Sequence, residues 1–224
     1  MILFAGHPLI THLHGYRVCP LPPDARLAPP VRAHADMLAF TYGKKLVLSR
    51  DYYETHRESL SPHIEEESLR LTDCPRASDY PYDIGLNALL VGNLLFCNAR
   101  YTAPEVLSCG AEVVDVAQGY AACSTLVLSD RTVVTADPSI ARGAERRNLD
   151  VLTIRPGHIL LPGYNTGFIG GASTKIGTTV YFFGDPTTHP DFSAIESACT
   201  RLGLVLKSLF DGPLTDLGGI RISE

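Results

Sequence analysis

The chemistry that this chain could perform starts from one thiol, one imidazole and two carboxyl groups, those of Cys123, His34, Asp36 and Asp216. A cysteine thiolate is a strong nucleophile, and a nearby histidine can serve as its general base and acid. Two carboxylates can hold a cationic ligand through charge-assisted hydrogen bonds. These residues come from the beginning, middle and end of the chain, so the chemistry requires a fold that brings the three regions together.

A repeated sequence pattern predicts such a fold. The clearest copy, residues 118–137, has a small polar turn, a strand, a Ser-Asp turn, a second strand and a helix start at Asp137-Pro138. Related copies recur at intervals of about 45 residues, within the range typical of propellers and other modular arrays. They occupy residues 35–49, 86–98, 172–185 and 215–220. We therefore predict five modules around a common axis.

Alignment of the copies places one polar residue at the start of each inner strand. The five residues are Asp36, Asn87, Ser124, Ser173 and Asp216. Glycines that permit close backbone approach lie at the same level, namely Gly85, Gly119, Gly170, Gly171, Gly218 and Gly219. One interpretation is a polar ligand pocket on the axis. The other is that these polar groups cap the inner strands by bonding to neighbouring backbone.

The order of the elements indicates an α/β fold, a five-bladed pseudo-symmetric propeller of β-β-α-β modules. We predict one domain over residues 1–224. Its modules are expected at about 34–83, 84–120, 121–169, 170–212 and 213–224, the last completed by residues 1–33.

The local patterns also predict individual elements. Helices are expected at 52–70, where Pro62 sets a break or a new helix start, and at 104–108, 138–147 and 192–202. A short strand is expected at 158–161 and a loop at 71–83. Residues 20–30 are expected to contain no ladder strand, because their prolines lack backbone donors.

The composition indicates a globular protein with a sizeable core, since 45% of the residues are hydrophobic. No apolar stretch approaches the length of a membrane span. The formal net charge of −5 is spread along the chain, whereas a nucleic-acid-binding protein needs a clustered basic face. Six cysteines without C-x-x-C spacing suggest reduced thiols and a cytoplasmic location. We expect a small-molecule ligand, and the charge distribution also allows a protein partner or a homo-oligomer.

No metal or other cofactor is predicted. His7, His12 and His14 with Cys19 match no common zinc-ligand spacing. Gly170-Gly171 lacks the G-x-G-x-x-G pattern of dinucleotide sites. Ser124 lacks the G-x-S-x-G pattern of serine hydrolases.

Several segments of the sequence resemble an uncharacterised bacterial family of the pentein, or guanidine-modifying enzyme, fold. The resemblance lies in QGYAACS, RPGHILLPGYNTGFIGGAS, HPD and DGPLTDLGG, within residues 118–219. It implies hydrolase or amidinotransferase-like chemistry with a cysteine nucleophile, a histidine acid/base and carboxylates that grip a guanidinium group. The enzymes of this fold carry the cysteine in the last module, where this chain has Leu214-Thr215-Asp216.

The resemblance thus implies a relocated catalytic set of Cys123, His34, Asp36 and Asp216. The substrate-binding residues would be Asn87, Ser124, Gly171 and Ser173. In this hypothesis the thiolate attacks the guanidinium carbon, His34 protonates the departing amine, and water hydrolyses the covalent intermediate. The alternatives are that Cys123 is a small buried hydrophobic residue and His34 a structural partner of Asp36 or of a turn. The protein would then be a non-catalytic ligand- or protein-binding module, as in the pentein-like ribosome anti-association factor.

Overall fold

The computed structural model describes residues 1–74 and 77–224, and within them the strands form five three-stranded sheets. In each sheet an inner strand pairs antiparallel with a middle strand, which pairs parallel with an outer strand. A parallel pair needs a crossover connection, and helical segments lie in this connection in each of the five sheets. The predicted α/β propeller of repeated modules is confirmed.

Four sheets are each built from one continuous segment of the chain. They are β3 (Ala39–Tyr42), β4 (Lys45–Ser49) and β5 (Leu69–Thr72); β6 (Leu89–Val91), β7 (Leu94–Cys97) and β8 (Glu112–Asp115); β9 (Thr125–Ser129), β10 (Thr132–Thr135) and β11 (Asp150–Thr153); and β12 (Ser173–Ile176), β13 (Thr179–Phe182) and β14 (Val205–Ser208). Three of their hairpins turn at Gly43, Gly92 and Gly177, which have positive φ values of 52°, 56° and 59°. Glycine adopts this conformation without a steric penalty.

The fifth sheet joins the two ends of the described chain. Its strands are β1 (Ile2–Gly6), β2 (Val18–Leu21) and β15 (Ile220–Ser223), with β1 in the middle. Ile2 lies opposite Ser223 and Ala5 opposite Ile220 in the antiparallel β1–β15 pair. The circle of modules is therefore closed by main-chain hydrogen bonds between residues that are distant in sequence.

The helices lie between the middle and outer strands or beside the inner strands. They are α1 (His7–Ile10), α2 (Ala35–Leu38), α3 (Arg50–Thr55), α4 (Arg57–Leu60), α5 (Pro104–Leu107), α6 (Pro138–Glu145) and α7 (Phe192–Arg201), with 3₁₀ turns at Ser61–His63, Glu66–Ser68 and Pro186–Thr188. Asp137 caps α6 as predicted, since its side chain accepts hydrogen bonds from the Ser139 and Ile140 amides.

Four local predictions are wrong in whole or in part. The helix predicted at 52–70 is broken at His56, which has non-helical φ/ψ values of −113° and 19°, and its last residues belong to strand β5. Pro20 lies within strand β2, which tolerates a missing donor because β2 is an edge strand. The predicted strand at 158–161 is only an isolated bridge between Leu160 and Thr215. The loop predicted at 71–83 starts later than expected, because Leu71 and Thr72 end strand β5. Pro75 and Arg76 of this loop lie outside the described residues.

The hydrophobic core is divided among the modules. For example, Val134, Phe182, Ile195 and Leu214 form one buried cluster that joins the sheets of β9–β11 and β12–β14. Cys19, Cys97, Cys109, Cys123 and Cys199 are free thiols. Among the described residues, no helix has the length and apolar character needed to cross a bilayer.

The five inner strands surround a common cavity of about 260 Å³, which we call the axial cavity. Every inner strand contributes to its wall, as shown by Thr41, Leu90, Val127, Lys175 and Ile222. The inner strands β6, β9 and β12 contact one another in sequence, and β15 contacts β3. The pseudo-symmetric arrangement therefore brings the starts of the inner strands to one level around an axis.

Candidate functional site

Asp36 links the first complete module to the end of the chain. It lies in the single turn α2, immediately before the inner strand β3, and its amide donates a hydrogen bond of 3.0 Å to the Gly218 carbonyl. The side chain is 2% exposed. Its Oδ2 atom accepts a hydrogen bond of 2.7 Å from the Cys123 thiol. A thiol from the middle of the sequence is thus in direct contact with a carboxyl group from the first third.

Asn87 holds this thiol from a third module. Its Nδ2 atom donates to Cys123 Sγ at 3.1 Å and lies 3.2 Å from Met37 Sδ. Its Oδ1 atom accepts hydrogen bonds from the amides of Ala122 at 2.9 Å and Cys123 at 3.4 Å. One amide side chain therefore fixes both the backbone and the sulfur of Cys123, which is what a positioned thiol requires.

Asp216 provides the second carboxyl group of the site. Its oxygens accept hydrogen bonds from the Phe168 amide at 2.9 Å and the Gly218 amide at 3.1 Å. His34 Nδ1 lies 3.6 Å from Asp216 Oδ1 and has no hydrogen-bond partner among the described residues. A Cβ atom on Gly171 would overlap the Asp216 carboxyl group, and one on Gly218 would overlap His34. These glycines are therefore required by the close approach of the two acid/base groups.

Cys123, His34 and Asp216 line one cavity of about 130 Å³, which we call the site cavity. It lies at the N-terminal ends of the inner strands. The remainder of its wall comprises Val31, Met37, Tyr120, Leu161, Tyr164, Thr166 and Phe168. Tyr164, which is 49% exposed, belongs to the segment 161–168 at the outer side of the cavity. Among the described lining residues there is no lysine or arginine, so the charge of this cavity is set by a carboxyl group.

Burial controls the protonation of the site. Loss of solvent raises the pKa of Asp36 from 3.8 to about 6, although the positive charge of Arg221 opposes the rise. Burial and the neighbouring Asp36 raise the pKa of Asp216 to about 7. Burial also raises the pKa of the Cys123 thiol well above its ordinary value, with both carboxylates adding to the effect. His34 is buried without a bound partner, which lowers its pKa to about 4 and keeps the imidazole neutral near pH 7.

The raised pKa of Asp36 makes a prediction about stability. A carboxyl group whose pKa is higher in the folded state stabilises the fold at low pH, and this contribution is lost as pH rises through the folded pKa. The wild type should therefore lose about 3 kcal/mol relative to Asp36→Asn between about pH 4 and pH 8, from a shift of 3.8 to about 6. Urea unfolding of both proteins across this range measures the difference. The exposed Asp130→Asn is the matched control, and a constant difference between wild type and Asp36→Asn would contradict the prediction.

The same atoms include a set of metal-ligand types. One nitrogen of His34, one carboxyl oxygen of Asp36 and Sγ of Cys123 all lie within 4.8 Å of one another. Nitrogen, oxygen and sulfur are the donors that zinc accepts in proteins. A zinc ion bound here would replace the thiol proton, so a thiol assay of this protein needs a chelator control.

The remaining predicted site residues have different surroundings. Asn87 bonds to Cys123 and is not among the residues that line the site cavity. Ser124 lines a separate cavity of about 100 Å³ with Gln118 and Asp137. Ser173 donates a hydrogen bond of 2.6 Å to the Ile169 carbonyl and lines the axial cavity. Gly171 has no Cβ atom, which allows the Asp216 carboxyl group to pack directly against its backbone.

Sequence reasoning missed Arg221 and the aromatic residues of the site cavity. Arg221 lines the axial cavity from strand β15, and its charge acts on Asp36 and Cys123. A usable signal was present, because Arg221 is a charged residue in a short strand that follows the glycine pair Gly218-Gly219. Tyr164 and Phe168 lie in a glycine- and proline-rich segment whose course the sequence alone does not define.

Comparison with protein families gives one match. The model of the "Family of unknown function (DUF6873)" matches residues 10–221. A comparison with curated proteins finds no match.

Comparison with solved structures finds similar folds at low sequence identity. A cysteine-to-serine variant of DDAH from Pseudomonas aeruginosa, in complex with citrulline, is 11% identical with a TM-score of 0.60, over 92% of this chain and 91% of that chain. ArgZ, an arginine dihydrolase of the ornithine–ammonia cycle in cyanobacteria, is 10% identical with a TM-score of 0.52, over 92% of this chain and 35% of that chain. AgrE in complex with ornithine and NAD⁺ is 15% identical with a TM-score of 0.54, over 92% of this chain and 31% of that chain. These similarities confirm a pentein-like fold.

Proposed function

Because the chain belongs to DUF6873, a family of unknown function, we propose its activity from the site itself: Cys123-dependent hydrolysis or group transfer on a small guanidino or related C–N compound. The observation that carries this proposal is the contact of the Cys123 thiol with Asp36 at 2.7 Å, beside Asp216 and His34 at one cavity. A nucleophile, an acid/base group and two carboxyl groups are the parts that such chemistry needs. The fold shared with DDAH and ArgZ agrees with this class of reaction.

A cationic substrate would activate the thiol. In the free protein, burial and the two neighbouring carboxyl groups raise the pKa of Cys123, so the sulfur is protonated and weakly nucleophilic. A guanidinium or amidinium group bound beside Asp216 in the site cavity brings a positive charge close to Sγ and offsets part of the negative charge of the two carboxylates. This arrangement favours the thiolate. The nucleophile would therefore form only when the substrate is in place.

Neutral His34 would move the proton. One ring nitrogen of His34 lies within 4.8 Å of the Cys123 sulfur, which leaves room for proton transfer directly or through one water. The thiolate forms a C–S bond with the central carbon of the substrate, and the C–N bond to the leaving amine breaks as His34 returns the proton to that amine. A water deprotonated by His34, or a second amine in a transferase, then displaces the sulfur and regenerates the thiol.

The lining of the site cavity limits the substrate class. The cavity of about 130 Å³ suits a small head group, and its wall is mainly apolar around one carboxyl group. A substrate carboxylate in this cavity would meet Asp216 and no described cation, which is unfavourable for a buried charge. We therefore infer a substrate with a cationic head and a short apolar substituent, such as an alkylguanidine or an amidine, in preference to an amino acid.

The alternative function is a non-catalytic module that binds the same cationic group. The specific observation in its favour is the raised pKa of the Cys123 thiol, since a protonated thiol in contact with a carboxyl group is a stable resting arrangement. The two functions differ in what a bound ligand does to Cys123. A binding module accepts the ligand and leaves the thiol protonated.

The thiolate absorbance of Cys123 distinguishes these functions. It is measured as the ultraviolet difference between wild type and Cys123→Ser, with a zinc chelator present, during titration with methylguanidine. We expect saturable binding that lowers the pKa of Cys123 by at least about one unit, a tenfold gain in thiolate. Asp216→Asn should abolish this gain, whereas Asp130→Asn should preserve it. Binding without thiolate formation supports the binding module, and failure of methylguanidine and acetamidine to bind contradicts both functions.

A further inference from the structure

We propose that the axial cavity is a second ligand site, which binds a small aliphatic monocarboxylate through the guanidinium group of Arg221. This site is separate from the one to which the proposed function refers. The axial cavity lies between the inner strands, whereas the site cavity lies at their N-terminal ends. The described linings of the two cavities have no residue in common, and the Asp36–Cys123 contact stands between them.

Two side chains of the axial cavity have buried hydrogen-bond donors with no partner among the described residues. They are Nε and Nη2 of Arg221 and Oγ1 of Thr125. Thr125 is only 3% exposed. Buried polar groups are nearly always paired, so several unpaired atoms around one cavity indicate a site that a polar ligand completes.

The arrangement of the donors favours a carboxylate. Nε and Nη2 form one edge of the planar guanidinium group, and two parallel N–H groups match the two oxygens of a carboxylate. The Thr125 hydroxyl can donate a further hydrogen bond to the same group. Thr125 begins strand β9 and Arg221 lies in strand β15, so the two donors reach the ligand from different modules.

The charges of the wall favour a monoanion. Lys175 and Arg221 are the cations that line the axial cavity, and Asp36 is its one acid among the described lining residues. With Asp36 ionised the sum is one positive charge, which a single carboxylate balances and a phosphate dianion exceeds. Phe40, Leu126 and Ile220 give the rest of the wall an apolar surface. A short aliphatic chain would bury its methylene groups there, and a cavity of about 260 Å³ limits its length.

The test compares propionate and butyrate with chloride and inorganic phosphate at equal ionic strength, by isothermal titration calorimetry and thermal unfolding of the full chain. We expect the carboxylates alone to bind saturably and to raise the unfolding temperature. Arg221→Met should weaken carboxylate binding by about tenfold or more, because it removes a charged hydrogen-bond donor pair. Lys207→Met, which removes an exposed cation from outer strand β14, should leave the affinity unchanged.

A second variant keeps the test decisive if Arg221→Met does not fold. Thr125→Val keeps nearly the same shape and replaces the hydroxyl with a methyl group, so it should weaken butyrate binding several-fold. Methylguanidine added to the butyrate-saturated protein should bind the site cavity without displacing butyrate. Equal binding of phosphate, no binding of either carboxylate, unchanged affinity in Thr125→Val, or competition between butyrate and methylguanidine would each overturn the proposal. Failure of methylguanidine to bind, with butyrate binding intact, would count against the proposed function alone.

Discussion

Cys123→Ser should lower turnover of a small guanidine or amidine substrate by a factor on the order of a thousand or more, with little change in substrate affinity. Removal of a covalent nucleophile has effects of this size, because the remaining groups can only orient water. Serine fills nearly the same space and can donate to Asp36, so the network around Asn87 should persist. The measurement is release of the amine product together with KM, using alkylguanidines and amidines as substrates.

Cys199→Ser is the matched control for this change. Cys199 is also a free buried thiol, but it belongs to the core cluster of helix α7 and touches neither cavity. It should keep wild-type kcat even if it lowers stability. Mass spectrometry of the wild type during turnover should find the covalent intermediate, in which the central carbon of the substrate is bonded to sulfur, on the peptide that contains Cys123. Equal turnover by wild type and Cys123→Ser would rule out the covalent mechanism.

Gly170→Ala should destabilise the protein by about 3–5 kcal/mol, as expected for a severe overpacking change. A Cβ atom at this position would overlap the carbonyl oxygens of Ala122 and Thr125 and approach that of Cys123 to 2.8 Å. These are backbone atoms, which cannot turn away as a flexible side chain can. The neighbouring Gly171 amide donates a hydrogen bond of 2.9 Å to the Cys123 carbonyl, so the two segments are already in close contact.

Thermal or urea unfolding of Gly170→Ala measures this loss. A change of this size should lower the unfolding temperature by about 6–20 °C in a domain of this length. Gly177→Asn is the control, because Gly177 has a positive φ of 59° with open space where a Cβ atom would lie, and asparagine tolerates that conformation. It should cost no more than about 1 kcal/mol. Near-wild-type stability of Gly170→Ala would show that the modules do not approach at Cys123 as described.

The sequence by itself determined the modular plan and the main chemical groups. Hairpin turns such as Gly43 and Gly177 and the Asp137 cap depend on local backbone preferences, which the sequence states directly. Five similar modules must repeat one geometry around an axis, so equivalent positions in the sequence become neighbours in space. For this reason the sequence pattern predicts that Cys123, the residue before Ser124, lies near Asp36, and the two side chains are in contact in the structure.

Tertiary structure alone decided how those groups face one another. Ser124 turns into a separate cavity, Asn87 holds the thiol, and Arg221 enters the axial cavity, because each side chain takes the space that the neighbouring module leaves. The strand β5 and the break at His56 likewise result from pairing and packing with distant residues, which override helix preference. The protonation of Asp36 and Cys123 is set by their removal from water, and burial is a property of the assembled fold.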